Sequence, residues 1–134
     1  MVQENLPRPT VLVVDDEALI RWALSEGLTE AGYPVAVAAT GAEARAWLTA
    51  HEGESCAVLL DLRLPDVADW SLLQHIREHW PDVPVVMMTA HGSADDALAA
   101  AKLGAYRFIS KPFDVPELVR VVGEAWANSG RLDS

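Results

Sequence analysis

Five side chains in this 134-residue sequence could do chemistry together: the neighbouring acids Asp15 and Asp16, the acid Asp61, the hydroxyl of Thr89 and the amine of Lys111. Each falls at the end of a short apolar run: Val11–Val14, Cys56–Leu60, Val83–Met88 or Ala105–Ile109. Singly they say little. An Asp after a strand is commonly a turn or cap residue, a Thr at a strand end is commonly just a β-branched strand former, and a Lys before a Pro is ordinarily on the surface. Together they say more. Three carboxylates in one place repel by roughly 4 kcal/mol per pair at 4 Å and an effective dielectric near 20, so a cation or protons must offset them. A hard divalent ion such as Mg²⁺ suits oxygen ligands, keeps some of its waters and recruits phosphate oxygens; Mn²⁺ would serve similarly. Lys111 adds a second positive charge and Thr89 a hydroxyl donor. Cation, ammonium and hydroxyl converging on one carboxylate describe a site for phosphoryl transfer. The nucleophile would be a carboxylate, and the product an acyl phosphate.

Such a cluster needs a scaffold that brings distant residues to one edge. The apolar runs alternate with helix-period segments. After Val11–Val14 come Ile20, Leu24, Leu28 and Ala31 on one helical face, with Gly32 as a stop. A weaker strand over Val35–Ala39 is followed by Thr40 and Glu43, spaced as a capping box for a helix carrying Ala44, Trp47 and Leu48. Cys56–Leu60 is followed by Leu72, Leu73, Ile76 and Trp80. Val83–Met88 is followed by a thin, Ala-rich helix over Ser93–Lys102, opened by Ser93 with Asp96. Ala105–Ile109 is followed by a helix capped by Asp114, with Val115, Leu118, Val119, Val122 and Trp126 along one side. Five βα units with continuously apolar strands predict an α/β fold, a parallel sheet covered on both faces. Right-handed crossovers leave few topologies. In such sheets ligands bind outside the carboxyl ends of the strands, which is where the five side chains fall. The domain is expected over residues 10–127, with loose tails at 1–9 and 128–134.

Composition narrows the class. Twenty acids against 10 bases give a net charge of −10, and 51% of residues are hydrophobic. That is a globular balance, acidic enough to argue against direct nucleic-acid binding or docking on an anionic membrane. A lone cysteine, Cys56, excludes an internal disulfide. No apolar run approaches a membrane span, and the first ten residues do not read as a signal peptide, so a cytoplasmic location is expected.

Four runs in order carry a family resemblance: Val-Leu-Val-Val-Asp15-Asp16-Glu17, Leu-Leu-Asp61-Leu-Arg-Leu-Pro65, Met-Met-Thr89-Ala90 and Phe108-Ile-Ser-Lys111-Pro112-Phe113. Their spacing resembles the CheY-like receiver domain of two-component response regulators, from about Thr10 to Trp126. The resemblance implies a (βα)5 flavodoxin-like fold with strand order 2-1-3-4-5. It implies Asp61 as phosphoacceptor from a sensor histidine kinase. Asp16 is implied as a direct Mg²⁺ ligand and Asp15 mainly through water, with the backbone carbonyl of Arg63 as a further ligand. Thr89 and the Ala90 amide would meet the phosphoryl oxygens and Lys111 would pair with them. Thr89 and Phe108 would form the switch, and the bond before Pro112 would be cis. Such a domain is a phosphoacceptor switch assisting its own phosphorylation and dephosphorylation rather than an enzyme, acting on an effector domain or partner protein, with a homodimer possible.

Met87–Asp114 most resembles receivers at the start of NtrC-type transcriptional activators. That similarity favours an excised part of a longer regulator over a stand-alone receiver, with transcription as the output. There are departures. Ala68 and Asp69 replace the usual Asp-Gly of the phosphoacceptor loop, which leaves the path of residues 66–70 open, with Asp69 as a possible helix N-cap. Arg107 stands where an acid is frequent. Two other readings remain: a phosphorylation-independent binding module on the same fold, and a haloacid-dehalogenase-like phosphatase. The latter places its nucleophile after the first strand, unlike Asp61. His75 and His79, spaced i, i+4, could hold a metal but read better as a solvated helix face. His91 either tunes loss of the phosphoryl group or is a loop residue. Tyr106 is two residues out of register for the switch position and reads as structural. Trp70 and Trp80 could form part of a partner surface.

Overall fold

The computed structural model describes residues 8–90 and 92–129. Ten elements alternate: β1 (Thr10–Val14), α1 (Ala18–Glu30), β2 (Val35–Ala38), α2 (Gly41–Ala50), β3 (Cys56–Asp61), α3 (Ser71–His79), β4 (Val85–Thr89), α4 (Ala94–Lys102), β5 (Arg107–Ser110) and α5 (Val115–Ala127). All strands pair in parallel, in the order β2-β1-β3-β4-β5. This is the expected (βα)5 flavodoxin-like topology.

Strand side chains alternate between faces, and the core divides accordingly. Leu12, Val14, Val58, Leu60, Val85 and Met87 face α2, α3 and α4, meeting Leu48, Leu72, Leu73 and Ile76. Val11, Val13, Ala57, Leu59, Val86 and Met88 face α1 and α5, meeting Leu24, Leu28, Leu118, Val121 and Val122. The expectation of strands buried on both faces holds for β1, β3 and β4. It fails at the edges. Val37 of β2 is 51% exposed, and Arg107 and Ser110 of β5 face solvent, because an outermost strand lacks a neighbour.

Local chemistry moves several boundaries. Gly104 has φ +96, and the amide of Ala105 turns back to the Ala100 carbonyl at 3.0 Å. Ala105 therefore finishes α4, and β5 starts at Arg107. Ser93 and Asp96 form a reciprocal capping box at α4. At α2, Thr40 Oγ1 accepts from the Glu43 amide at 3.1 Å, but Glu43 accepts from Ala39 at 2.7 Å rather than from Thr40. Asp114 occupies the N-cap position of α5 without a side-chain capping bond. Trp70, not Asp69, is the N-cap of α3, while Asp69 accepts from the Ser71 amide at 3.0 Å. In α4 only Ala100 is fully buried, and Leu98 is 56% exposed.

Of the tails expected at 1–9 and 128–134, residues 1–7 and 130–134 lie outside the described residues, as does His91. Arg8 lies over the Tyr33 ring at 4.9 Å and Pro9 is buried. No helix among the described residues is long and apolar enough to cross a membrane.

Candidate functional site

Parallel pairing sends every strand in the same direction, so residues at strand ends gather at one rim. Asp15 follows β1, Asp61 closes β3, Thr89 closes β4 and Lys111 follows β5. Backbone bonds fix the edge: the Asp15 amide donates to Ala38 at 3.1 Å, Leu62 to Met88 at 2.9 Å, and Lys111 to Thr89 at 2.7 Å. The Lys111–Pro112 peptide bond is cis.

The side chains converge. Carboxylate oxygens of Asp15, Asp16 and Asp61 lie within 4.8 Å of one another. Asp15, Asp61 and Thr89 are buried polar residues, while Asp16 is exposed. Lys111 Nζ lies 2.7 Å from Asp15 Oδ2, 3.1 Å from Glu17 Oε1 and 3.2 Å from Asp61 Oδ2, with only 9% of its side chain exposed. Asp15 Oδ2 is buried, and among the described residues its partner is the Lys111 ammonium. Asp15 Oδ1 accepts from the Glu17 amide at 2.9 Å, and Asp61 Oδ1 from the Arg63 amide at 3.2 Å.

Burial pushes the Asp61 carboxyl above its ordinary range; the Arg63 amide and Lys111 pull against that shift, and the charge of Asp15 adds to it. For Lys111, burial alone would push the ammonium down, but hydrogen bonds to Asp15 and Glu17 and the charge of Asp61 hold it above its usual range. Three carboxylates, those of Asp15, Glu17 and Asp61, thus meet one ammonium, and Asp16 adds a fourth acid to the rim. This is an oxygen-rich, under-compensated set of the kind a hard divalent cation fits. His75 and His79 are not in that cluster. Their rings stack on each other at 4.0 Å.

The sequence signals missed three supporting residues. Glu17 pairs with Lys111, and only its place beside the two acids hinted at this. Arg21 Nη1 donates to the Asp15 carbonyl at 2.8 Å, steadying the β1 end from the first turns of α1. Asp66 settles the path of residues 66–70. Its two oxygens accept from the Gly41 and Ala42 amides at 2.8 and 3.0 Å, so the β3–α3 loop is tied to the start of α2. These bonds lower the Asp66 carboxyl below its usual range. Phe108 is half-buried against the β4 side of the core. Tyr106 faces the other cluster and its hydroxyl accepts from Asn128 at 3.5 Å. Trp70 and Trp80 are half-buried against the core, and Trp80 Nε1 donates to Glu52 at 3.0 Å. Among the described residues, the exposed large apolar side chains are Leu19, Trp22, Val37 and Leu98.

Fold and rim together define a parallel α/β domain with an acidic, lysine-bearing site at the carboxyl ends of its strands. The chain belongs to the response regulator receiver domain family, whose sequence model matches residues 11–123. Among curated relatives it is 38% identical to the DNA-binding transcriptional regulator NtrC of Rhizobium meliloti (strain 1021), over 93% of this chain and 25% of that protein. It is 39% identical to NtrC of Escherichia coli (strain K12), over 90% of this chain and 25% of that protein. The chain thus spans about a quarter of the length of these relatives. Among solved structures, the NtrX receiver domain from Brucella abortus superposes with a TM-score of 0.80 at 34% identity, covering 89% of this chain and 99% of that one. The beryllofluoride-activated NtrC4 receiver domain dimer gives 0.81 at 37% identity, covering 88% and 96%. A CheY-like receiver domain protein from Methanospirillum hungatei JF-1 gives 0.84 at 27% identity, covering 94% and 99%.

Proposed function

We propose that this receiver domain accepts one phosphoryl group on Asp61 from a phosphohistidine of a sensor kinase, and that the modified domain controls an effector. The observation that carries the reading is the placement of Lys111 Nζ, 2.7 Å from Asp15 and 3.2 Å from Asp61, beside three carboxylates within 4.8 Å. An Asp61 oxygen attacks phosphorus, the P–N bond to the kinase histidine breaks, and its electron pair returns to the imidazole. Lys111 offsets charge on the phosphoryl oxygens, and Thr89 donates to one of them. Asp15, Asp16, Asp61 and the Arg63 carbonyl are the residues that would hold Mg²⁺ or Mn²⁺. A bound divalent ion would neutralise the carboxylates and the incoming phosphate. The receiver unit is residues 10–127. By the kinship with NtrC, transcription control is the output and the cytoplasm the location, with an effector domain or partner protein, and in some states a second copy of the chain, reading the β5–α4–α5 side.

Acetyl phosphate with Mg²⁺ should add the mass of one phosphoryl group to the intact protein. Here the P–O bond breaks and acetate leaves. Asp61→Asn should abolish the addition, and EDTA should suppress it. Undiminished addition to Asp61→Asn would overturn the assignment.

A further inference from the structure

Gly92 lies between β4 and α4, beside Thr89 and Phe108. A Cβ built on it would meet Phe108 Cε2 at 2.5 Å, Phe108 Cζ at 2.9 Å and Thr89 Cγ2 at 3.0 Å. The backbone does not demand glycine there. Gly32, Gly53 and Gly104 are the described glycines with positive φ, and Gly92 is not among them. What excludes a side chain at position 92 is the edge of the Phe108 ring. Both ring contacts are closer than real Cβ atoms come to their neighbours. The backbone that carries the ring is fixed, since Phe108 is paired in register with Met87 of β4, and the half-buried ring packs against the core; a side chain at position 92 therefore has to push the ring out of its place.

We propose that Gly92 is the positioning residue for Phe108: its missing side chain is the seat in which the ring rests, and a filled seat and a seated ring exclude one another. The seat links the site to the sheet edge. Its walls are the backbone at Gly92 and the methyl of Thr89, so a displacement of Thr89 toward a phosphoryl group on Asp61 moves one wall of the seat. Phe108 has no hydroxyl to anchor it, so shape alone holds it there. The consequence for signalling rests on the phosphoacceptor reading above; the seat itself does not.

The test is a double-mutant cycle on the full chain, read by amide NMR and thermal midpoint. Without any phosphoryl donor, Gly92→Ala should displace the resonances of β5 and of the start of α4 and lower the midpoint. On a Phe108→Leu background the same substitution should do neither. An equal loss on both backgrounds, or an unchanged β5 spectrum in Gly92→Ala, would overturn the seat. If Gly92→Ala alone fails to fold, a folded Gly92→Ala/Phe108→Leu protein supports the proposal and an unfolded one refutes it. With acetyl phosphate and Mg²⁺, intact mass should show equal phosphoryl incorporation in wild type and Gly92→Ala. The phosphorylation-induced shift of β5 should be smaller in the variant, whose ring is already displaced. Equal incorporation with equal shifts would sink the link to signalling. Absence of incorporation in the wild type would instead count against the phosphoacceptor reading, leaving the donor-free cycle to decide the seat.

Discussion

Lys111 holds together charges that would otherwise separate. Its side chain is buried against Asp15, which has no exposure, so truncating it leaves two buried carboxylates facing each other. Lys111→Ala is expected to cost about 3 kcal/mol in the absence of divalent cations, the usual penalty for breaking a buried pair, and Mg²⁺ should restore much of it. Chemical denaturation with and without EDTA checks this. Glu17 makes a similar approach from solvent, with 59% of its side chain exposed. Glu17→Gln should change stability by less than about 1 kcal/mol. Asp61 carries a pH signature. Its carboxyl sits above its ordinary value of 3.8 because of burial, so the folded state binds its proton more tightly than the unfolded chain does. Ionised Asp61 therefore destabilises the fold above that raised value, and the penalty disappears below 3.8. In EDTA, Asp61→Asn should melt higher than wild type at neutral pH, and the gap should close as pH falls. A constant gap would contradict it. The site acids were readable from sequence because each ends an apolar run. Glu17 and Asp66 were not, because pairing across 94 and 25 residues leaves no local pattern. Cys56 is inert by the same burial logic, its thiol pushed up to about 11.

At the scale of elements, the loop after Asp61 keeps its path without the usual glycine because Asp66 binds the first amides of α2. The orphan amides and positive end of a helix favour a carboxylate, and here the carboxylate comes from a different loop. Its depressed pKa means that this stabilisation is present above the ordinary value of 3.8 and is lost as pH falls through the lowered value. Asp66→Asn should accordingly speed hydrogen exchange at Gly41 and Ala42 at neutral pH, and differ little from wild type in strong acid. Nearby, Gly41 is close-packed: an added Cβ would lie 2.7 Å from Val67 Cγ2. Gly41→Ala should cost about 1–3 kcal/mol as an overpacked contact, despite the better helix propensity of Ala. The strands and helices were legible as alternating periods. Their ends were less so, because capping depends on neighbours: Glu43 reaches Ala39, and Ala105 finishes a helix rather than starting a strand.

Across the whole molecule, the sheet is a partition between two cores. Leu60 belongs to one and Leu59 to the other, both essentially without exposure. Leu59→Ala and Leu60→Ala should each destabilise by about 2–5 kcal/mol, and unfolding should stay a single transition, since one central strand serves both cores. Biphasic denaturation in either variant would show that the cores melt separately. The apolar runs made the layered order legible. They could not reveal how unevenly the helices are anchored, because an alanine stripe looks alike whether it is packed or wet. That unevenness sets how freely the surface can be rewritten. With Ala100 as the only fully buried position of α4, most of this helix can change identity without the core registering it. A substitution library confined to its outer positions should yield mostly folded proteins with altered binding preferences, and so a domain that can acquire new partners while its chemistry stays the same.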